Sequence, residues 1–173
     1  QERCIIIEDD IIGCDTDFDA ATSIVKKIQA EGLVIFGGQQ GLKNARFLCG
    51  MSTSVNKLWC IPNLSKNFIT RACCYSLDRT TAITILNSQK NCLTRADNWQ
   101  TLISKKTSIF YANIFEHPKD YIQSNLEEER NAHVGVYQKI KSDGVLNIIK
   151  RALYKILNIF LCKVGVYEKV DIK

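Results

Sequence analysis

The stretch SDGVLNIIKRALYKILNIFLCKVGVYEK, residues 142–169, constrains this chain more than any other. From Val145 to Leu161 its apolar residues recur with the period of an α-helix. Val145, Ile149, Ala152, Ile156 and Ile159 share one face, and Leu146, Leu153, Leu157 and Phe160 widen it. Asn147, Lys150, Arg151, Tyr154, Lys155 and Asn158 make the opposite face. Three bases (Lys150, Arg151 and Lys155) interrupt the apolar run, which leaves it too short and too charged to span a bilayer. A face this broad predicts the principal core helix of a domain, packed against helices expected over 17–31, 94–115 and 119–141. Two other uses compete with that one: lining a pocket for a small apolar ligand, or lying on an anionic lipid surface. Cys162 falls on the polar side, so a disulfide there requires another segment to cross the helix and hold it down.

The eight cysteines are Cys4, Cys14, Cys49, Cys60, Cys73, Cys74, Cys92 and Cys162. Their even number, beside an initial Gln1 that reads as the trimmed end of a processed chain, predicts a secreted protein. In an oxidising compartment all eight are expected in disulfides, with a pairing that spacing does not choose. Asn63-Leu64-Ser65 is the only N-glycosylation sequon, which makes Asn63 the expected acceptor. With 173 residues, 46% apolar and 24% charged, the chain is expected to fold as a single secreted domain over 1–173.

The pass along the chain predicts a mainly α, disulfide-stapled domain, with α+β as the alternative. CIIIEDDIIGC at 4–14 reads as a small strand pair or an ordered loop. Residues 17–31 read as a helix capped by Asp15, Thr16 or Asp17 and stopped by Gly32. LVIF at 33–36 has strand composition, Gly37, Gly38 and Gly41 bracket a turn, and 42–50 reads as a short helix. Residues 67–88 are open between a β-hairpin turning at Asp78-Arg79 and two short helices. Helical spacing of Trp99, Leu102, Ile103, Ile109 and Phe110 predicts a helix over 94–115. Pro118 then starts another over 119–141, containing Tyr121, Ile122, Leu126, His133, Val134, Tyr137 and Ile140.

No catalytic signature emerges. Asp15 to Asp19 imitate the opening of a calcium loop, but Ala20 stands where the sharp turn needs Gly and Lys26 where a bidentate Glu is required. Glu129 and His133 are four apart on one expected helix face, and His117 lies across the Pro118 break; zinc needs more ligands than that. Gly37-Gly38-Gln39-Gln40-Gly41 lacks the Lys-Ser/Thr of a phosphate loop and reads as a tight turn. No metal, no cofactor and no catalytic residue is therefore expected. The bases are scattered, so no nucleic-acid partner is expected either.

Charge is uneven along the chain. Residues 1–19 hold seven acids and one base, whereas residues 132–173 hold eight bases and three acids. Attraction between the two ends inside one molecule is the simple expectation. The function expected is non-catalytic binding. As a carrier of a small hydrophobic ligand, the protein would line its cavity with Trp99, Tyr137, Ile149, Leu153, Ile156 and Phe160. The competing expectation is binding to a protein receptor or an anionic membrane surface, toxin-like activity included.

Overall fold

A computed structural model describes residues 2–118 and 145–172, with residues 145–148 described by their backbone alone. The helix expected over 119–141, with Tyr137, Glu129 and His133, lies outside the described residues. Among the described residues seven strands form one sheet: β1 (Arg3–Ile7), β2 (Leu33–Gly37), β3 (Cys49–Ser52), β4 (Trp59–Ile61), β5 (Cys74–Asp78), β6 (Ile109–Phe115) and β7 (Glu168–Lys169). Their spatial order is β1-β5-β2-β6-β4-β3-β7. Only β2 and β6 run parallel; every other neighbouring pair is antiparallel. The described helices are α1 (Asp15–Lys27), α2 (Arg79–Asn91), α3 (Trp99–Leu102) and α4 (Val145–Lys163).

This is an α+β fold, and it overturns the mainly α expectation. Two segments account for the difference. Residues 94–115 do not make one helix: the chain turns at Ser104–Thr107, and IFYANIF becomes β6, between β2 and β4. A run of aromatic and β-branched residues suits a strand covered on both faces, and such a strand shows no alternation to betray it. Residues 67–88, open between a hairpin and two short helices, form neither. Cys74–Asp78 is a strand, but the β-branched TTAITIL that follows is helical, because Asp78 caps it. The Asp78 carboxylate accepts from Thr81 N at 2.8 Å and from Thr81 Oγ1 at 3.0 Å. A good N-cap and a packed position outweigh the strand propensity of the threonines. The helix expected over 42–50 shrinks to a 3-10 turn at Ala45–Phe47 before β3.

Alternation along the central strands sends side chains to two cores. On one face, Leu33, Ile35, Leu77, Ile109 and Tyr111 pack with Trp99 and Leu102 of α3. On the other, Val34, Phe36, Phe110 and Ala112 pack with Ala21 and Ile24 of α1. Arg3 and Asp78 tie the β1 edge together through a buried ion pair at 3.5 Å. β1 and β7 occupy opposite edges of the sheet, so the first and last strands do not pair with one another.

Candidate functional site

Two regions carry functional geometry, and the first is the outer face of α4. The helix forms where its periodicity places it, but it seats the other way round from a core helix. Asn158, in the middle of the polar face, is fully buried, while Tyr154, Lys155, Leu161 and Cys162 flank it half-buried. Asn158 Nδ2 donates to Ser65 Oγ at 2.7 Å and to the Phe47 carbonyl at 3.1 Å. Lys155 Nζ stands 4.9 Å from the centre of the Phe47 ring, and Cys162 Sγ lies against Cys49 Sγ at 2.7 Å. The apolar face is left to solvent: Ile149 is 50% exposed, Leu153 53%, Ile156 62% and Phe160 58%. Leu157, Ile159, Val164 and Val166 extend the same surface.

The expected pocket lining therefore does not assemble. Ile149, Leu153, Ile156 and Phe160 share one exposed face, whereas Trp99 is buried in the core. There its ring meets Tyr75 edge-on at 5.1 Å and its Nε1 donates to the Arg71 carbonyl at 3.2 Å. Tyr137 lies outside the described residues. Asn63 is exposed, beside a Ser65 whose hydroxyl is buried and engaged by Cys49 N and Asn158. No two cysteine sulfurs stand at bonding distance; Cys4, Cys14 and Cys92 are exposed, and Cys49, Cys73 and Cys74 are buried.

The second region is an open cleft of about 910 Å³ whose lining residues are mostly polar or charged, among them Glu8, Lys66, Arg71, Asp97, His117 and Arg151, with Ile69 and Trp99 adding apolar surface. It stands where β1, β2 and β6 end and β5 begins. Glu8 N extends the β1–β5 ladder by donating to the Cys73 carbonyl at 2.8 Å. The chain then crosses the end of the sheet to reach β6, where Ile12 and Glu116 exchange backbone hydrogen bonds at 2.9 and 3.0 Å. That crossing carries Asp10 to His117, with Oδ2 and Nε2 3.1 Å apart. The turn after β2 is knitted from within: Gln39 accepts from Thr70 N at 3.1 Å, and Arg71 donates to the carbonyls of Gly38 and Gln40.

Electrostatics at this end are crowded. Glu8 is exposed by area, yet partial desolvation and the neighbouring Asp10 hold its carboxyl above the usual range, with His117 pulling the other way. Burial pushes the Cys73 thiol up to about 11, so it is protonated at neutral pH and unsuited to nucleophilic attack. Sequence reasoning picked out neither Glu8 nor Asp10 as a partner of His117, because about a hundred residues separate them. The available signal was the scarcity of histidine and its place directly after the strand-forming IFYANIF. No protein-family model, no characterised protein and no solved structure matches the chain.

Proposed function

We propose that this protein is a binding module that docks on anionic lipid surfaces through the outer face of α4. The observation that carries this reading is the inverted seating of the helix, which turns an apolar arc outward and fixes it through Asn158. Contiguous apolar surface of this kind is seldom left on a soluble domain without a use. The helix contains Lys150, Arg151, Lys155 and Lys163 and no acid, which favours a partner of negative charge. Lys150 and Lys163 border the apolar arc, where their stems can follow the hydrocarbon boundary while the ammonium groups stay at headgroup level. Each base near an anionic surface contributes about 1 kcal/mol, so these two together favour it over a neutral one by roughly thirtyfold. No described helix is long and apolar enough to cross a membrane, in keeping with a helix that lies on one.

The carrier reading asks for a continuous apolar cavity, whereas the cleft beside β1 and β6 is open and lined by several charged residues. Co-sedimentation with phosphatidylcholine vesicles, with and without phosphatidylserine, tests the docking surface. Binding is expected only with phosphatidylserine, to weaken with salt, and to disappear in Ile156→Asp and in Lys150→Glu/Lys163→Glu. A protein that binds no vesicle overturns the reading. Sedimentation velocity then tests whether a second copy takes the face instead, in which case a dimer forms.

A further inference from the structure

The crossing segment after β1 brings two carboxylates to the one histidine among the described residues. His117 Nδ1 stands 2.8 Å from the Pro118 carbonyl oxygen. A carbonyl only accepts, so the proton of this hydrogen bond sits on Nδ1, and Nε2 faces Asp10 Oδ2 at 3.1 Å. A ring-nitrogen lone pair facing a carboxylate, with a second carboxylate beside it, is repulsive unless a cation lies between them. That cation is either a proton on Nε2 or a metal ion. The ligand atoms of Glu8, Asp10 and His117 all lie within 4.8 Å of one another. A tetrahedral ion about 2.1 Å from each ligand holds them about 3.4 Å apart, a change that exposed carboxylates make by side-chain rotation. A backbone carbonyl on the far ring nitrogen is also the arrangement that orients metal-bound histidines.

We propose that Glu8, Asp10 and His117 form a binding site for one divalent cation of the manganese-to-zinc class. One imidazole and two carboxylates are a borderline donor set, softer than an all-oxygen calcium or magnesium site and harder than a thiolate site. Three protein ligands leave coordination positions vacant for water or a further donor. Glu8 and His117 both line the polar cleft, so those positions open onto it. The site is independent of the α4 face: its ligands come from the ends of β1 and β6, and the docking surface needs none of them.

Manganese is the suitable probe, because its preference for oxygen and nitrogen donors keeps the eight thiols from competing. Titration of the full chain with Mn²⁺, following the free ion by electron paramagnetic resonance, is expected to show one ion per molecule. His117→Ala and Glu8→Gln/Asp10→Asn are each expected to weaken it at least about tenfold. Asp15→Asn/Asp19→Asn, which removes acids from α1, is expected to leave it unchanged. Paramagnetic broadening of the Glu8, Asp10 and His117 amides in the unaltered protein reads the same site without relying on a variant that folds. Broadening elsewhere, equal affinity in a folded His117→Ala variant, or no binding by the unaltered protein overturns the proposal; in the last case the cation at His117 is a proton.

Discussion

Asn158 Nδ2 donates to Ser65 Oγ at 2.7 Å, and this buried contact sets which way α4 faces. Ser65 Oγ also accepts from Cys49 N at 3.0 Å, so one hydroxyl joins the helix to β3. The wall that α4 meets offers the Phe47 carbonyl, the Ser65 hydroxyl and the Phe47 ring. Those groups need a donor and a cationic stem more than they need an isoleucine. The apolar face has no such claim on the wall, because the core beneath the sheet is already filled by strand side chains and α3.

Replacing Asn158 with leucine is expected to destabilise the fold by about 1–2 kcal/mol, since it leaves Ser65 Oγ with Cys49 N alone and the Phe47 carbonyl with only the Cys49 thiol at 3.6 Å. Urea denaturation of Asn158→Leu against Ser65→Ala reads this. The double variant is expected to lose less than the sum, because each change removes part of the same contact.

Asp78 gives the fold an acid-sensitive latch at its β1 edge. Burial by itself raises its carboxyl, but hydrogen bonds from Gly32 N and Thr81, and the Arg3 charge, together hold it below the ordinary value of 3.8. A folded-state value below the unfolded one stabilises the protein at and above the unfolded value. That contribution is lost as pH falls from there through the folded value. Asp78→Asn is expected to flatten the stability profile in this acid window and to lower stability at neutral pH by about 1–3 kcal/mol, because Arg3 loses its carboxylate and keeps only neutral acceptors at Ala30, Gly32 and Ser76. Thermal unfolding as a function of pH, from neutral to strongly acid, distinguishes the two profiles.

Gly38 lets the end of β2 close on the cleft. Its φ of +74° lies in the left-handed region, and an added Cβ would collide with Cys73 Sγ. Gly38→Ala is expected to cost about 2–4 kcal/mol, from backbone strain plus overpacking. Adding Cys73→Ala is expected to relieve the overpacking and leave the strain, which a double-mutant cycle by urea denaturation measures.

The legible parts of this fold were those decided locally. LVIF became β2, and the periodic stretch after Val145 became α4; the helix expected over 17–31 became α1, but it is capped at Cys14, begins at Asp15 and ends at Lys27, short of the stop expected at Gly32. The cap at Asp78 was visible as a possible turn, but whether strand or helix followed depended on packing beyond the segment. IFYANIF was misread because a strand buried on both faces offers no alternation, and its apolar positions happen to fit helical spacing with Trp99 and Leu102. The two faces of α4 were read correctly as faces and wrongly as inside and outside, since only tertiary contacts to Ser65 and Phe47 decide between them. The Glu8–Asp10–His117 group arises from a crossing over the sheet end, which no local pattern encodes.

Thiol chemistry tests the seating of α4 from another direction. Burial pushes Cys49 and Cys74 up to about 12 and Cys73 up to about 11, so all three are thiols at neutral pH. Brief iodoacetamide treatment of the reduced, folded protein is expected to label exposed Cys4, Cys14 and Cys92, and to reach the buried three only after unfolding. Cys49 on β3 and Cys162 on α4 face one another with their sulfurs 2.7 Å apart, so oxidation is expected to join this pair before any other. The link would close a loop of more than a hundred residues and add about 2–4 kcal/mol of stability that a reductant removes. Peptide mass spectrometry of the non-reduced protein identifies the bond. A bond from Cys162 to any other cysteine would contradict the seating of α4, because every alternative requires the helix to turn or lift away from Ser65.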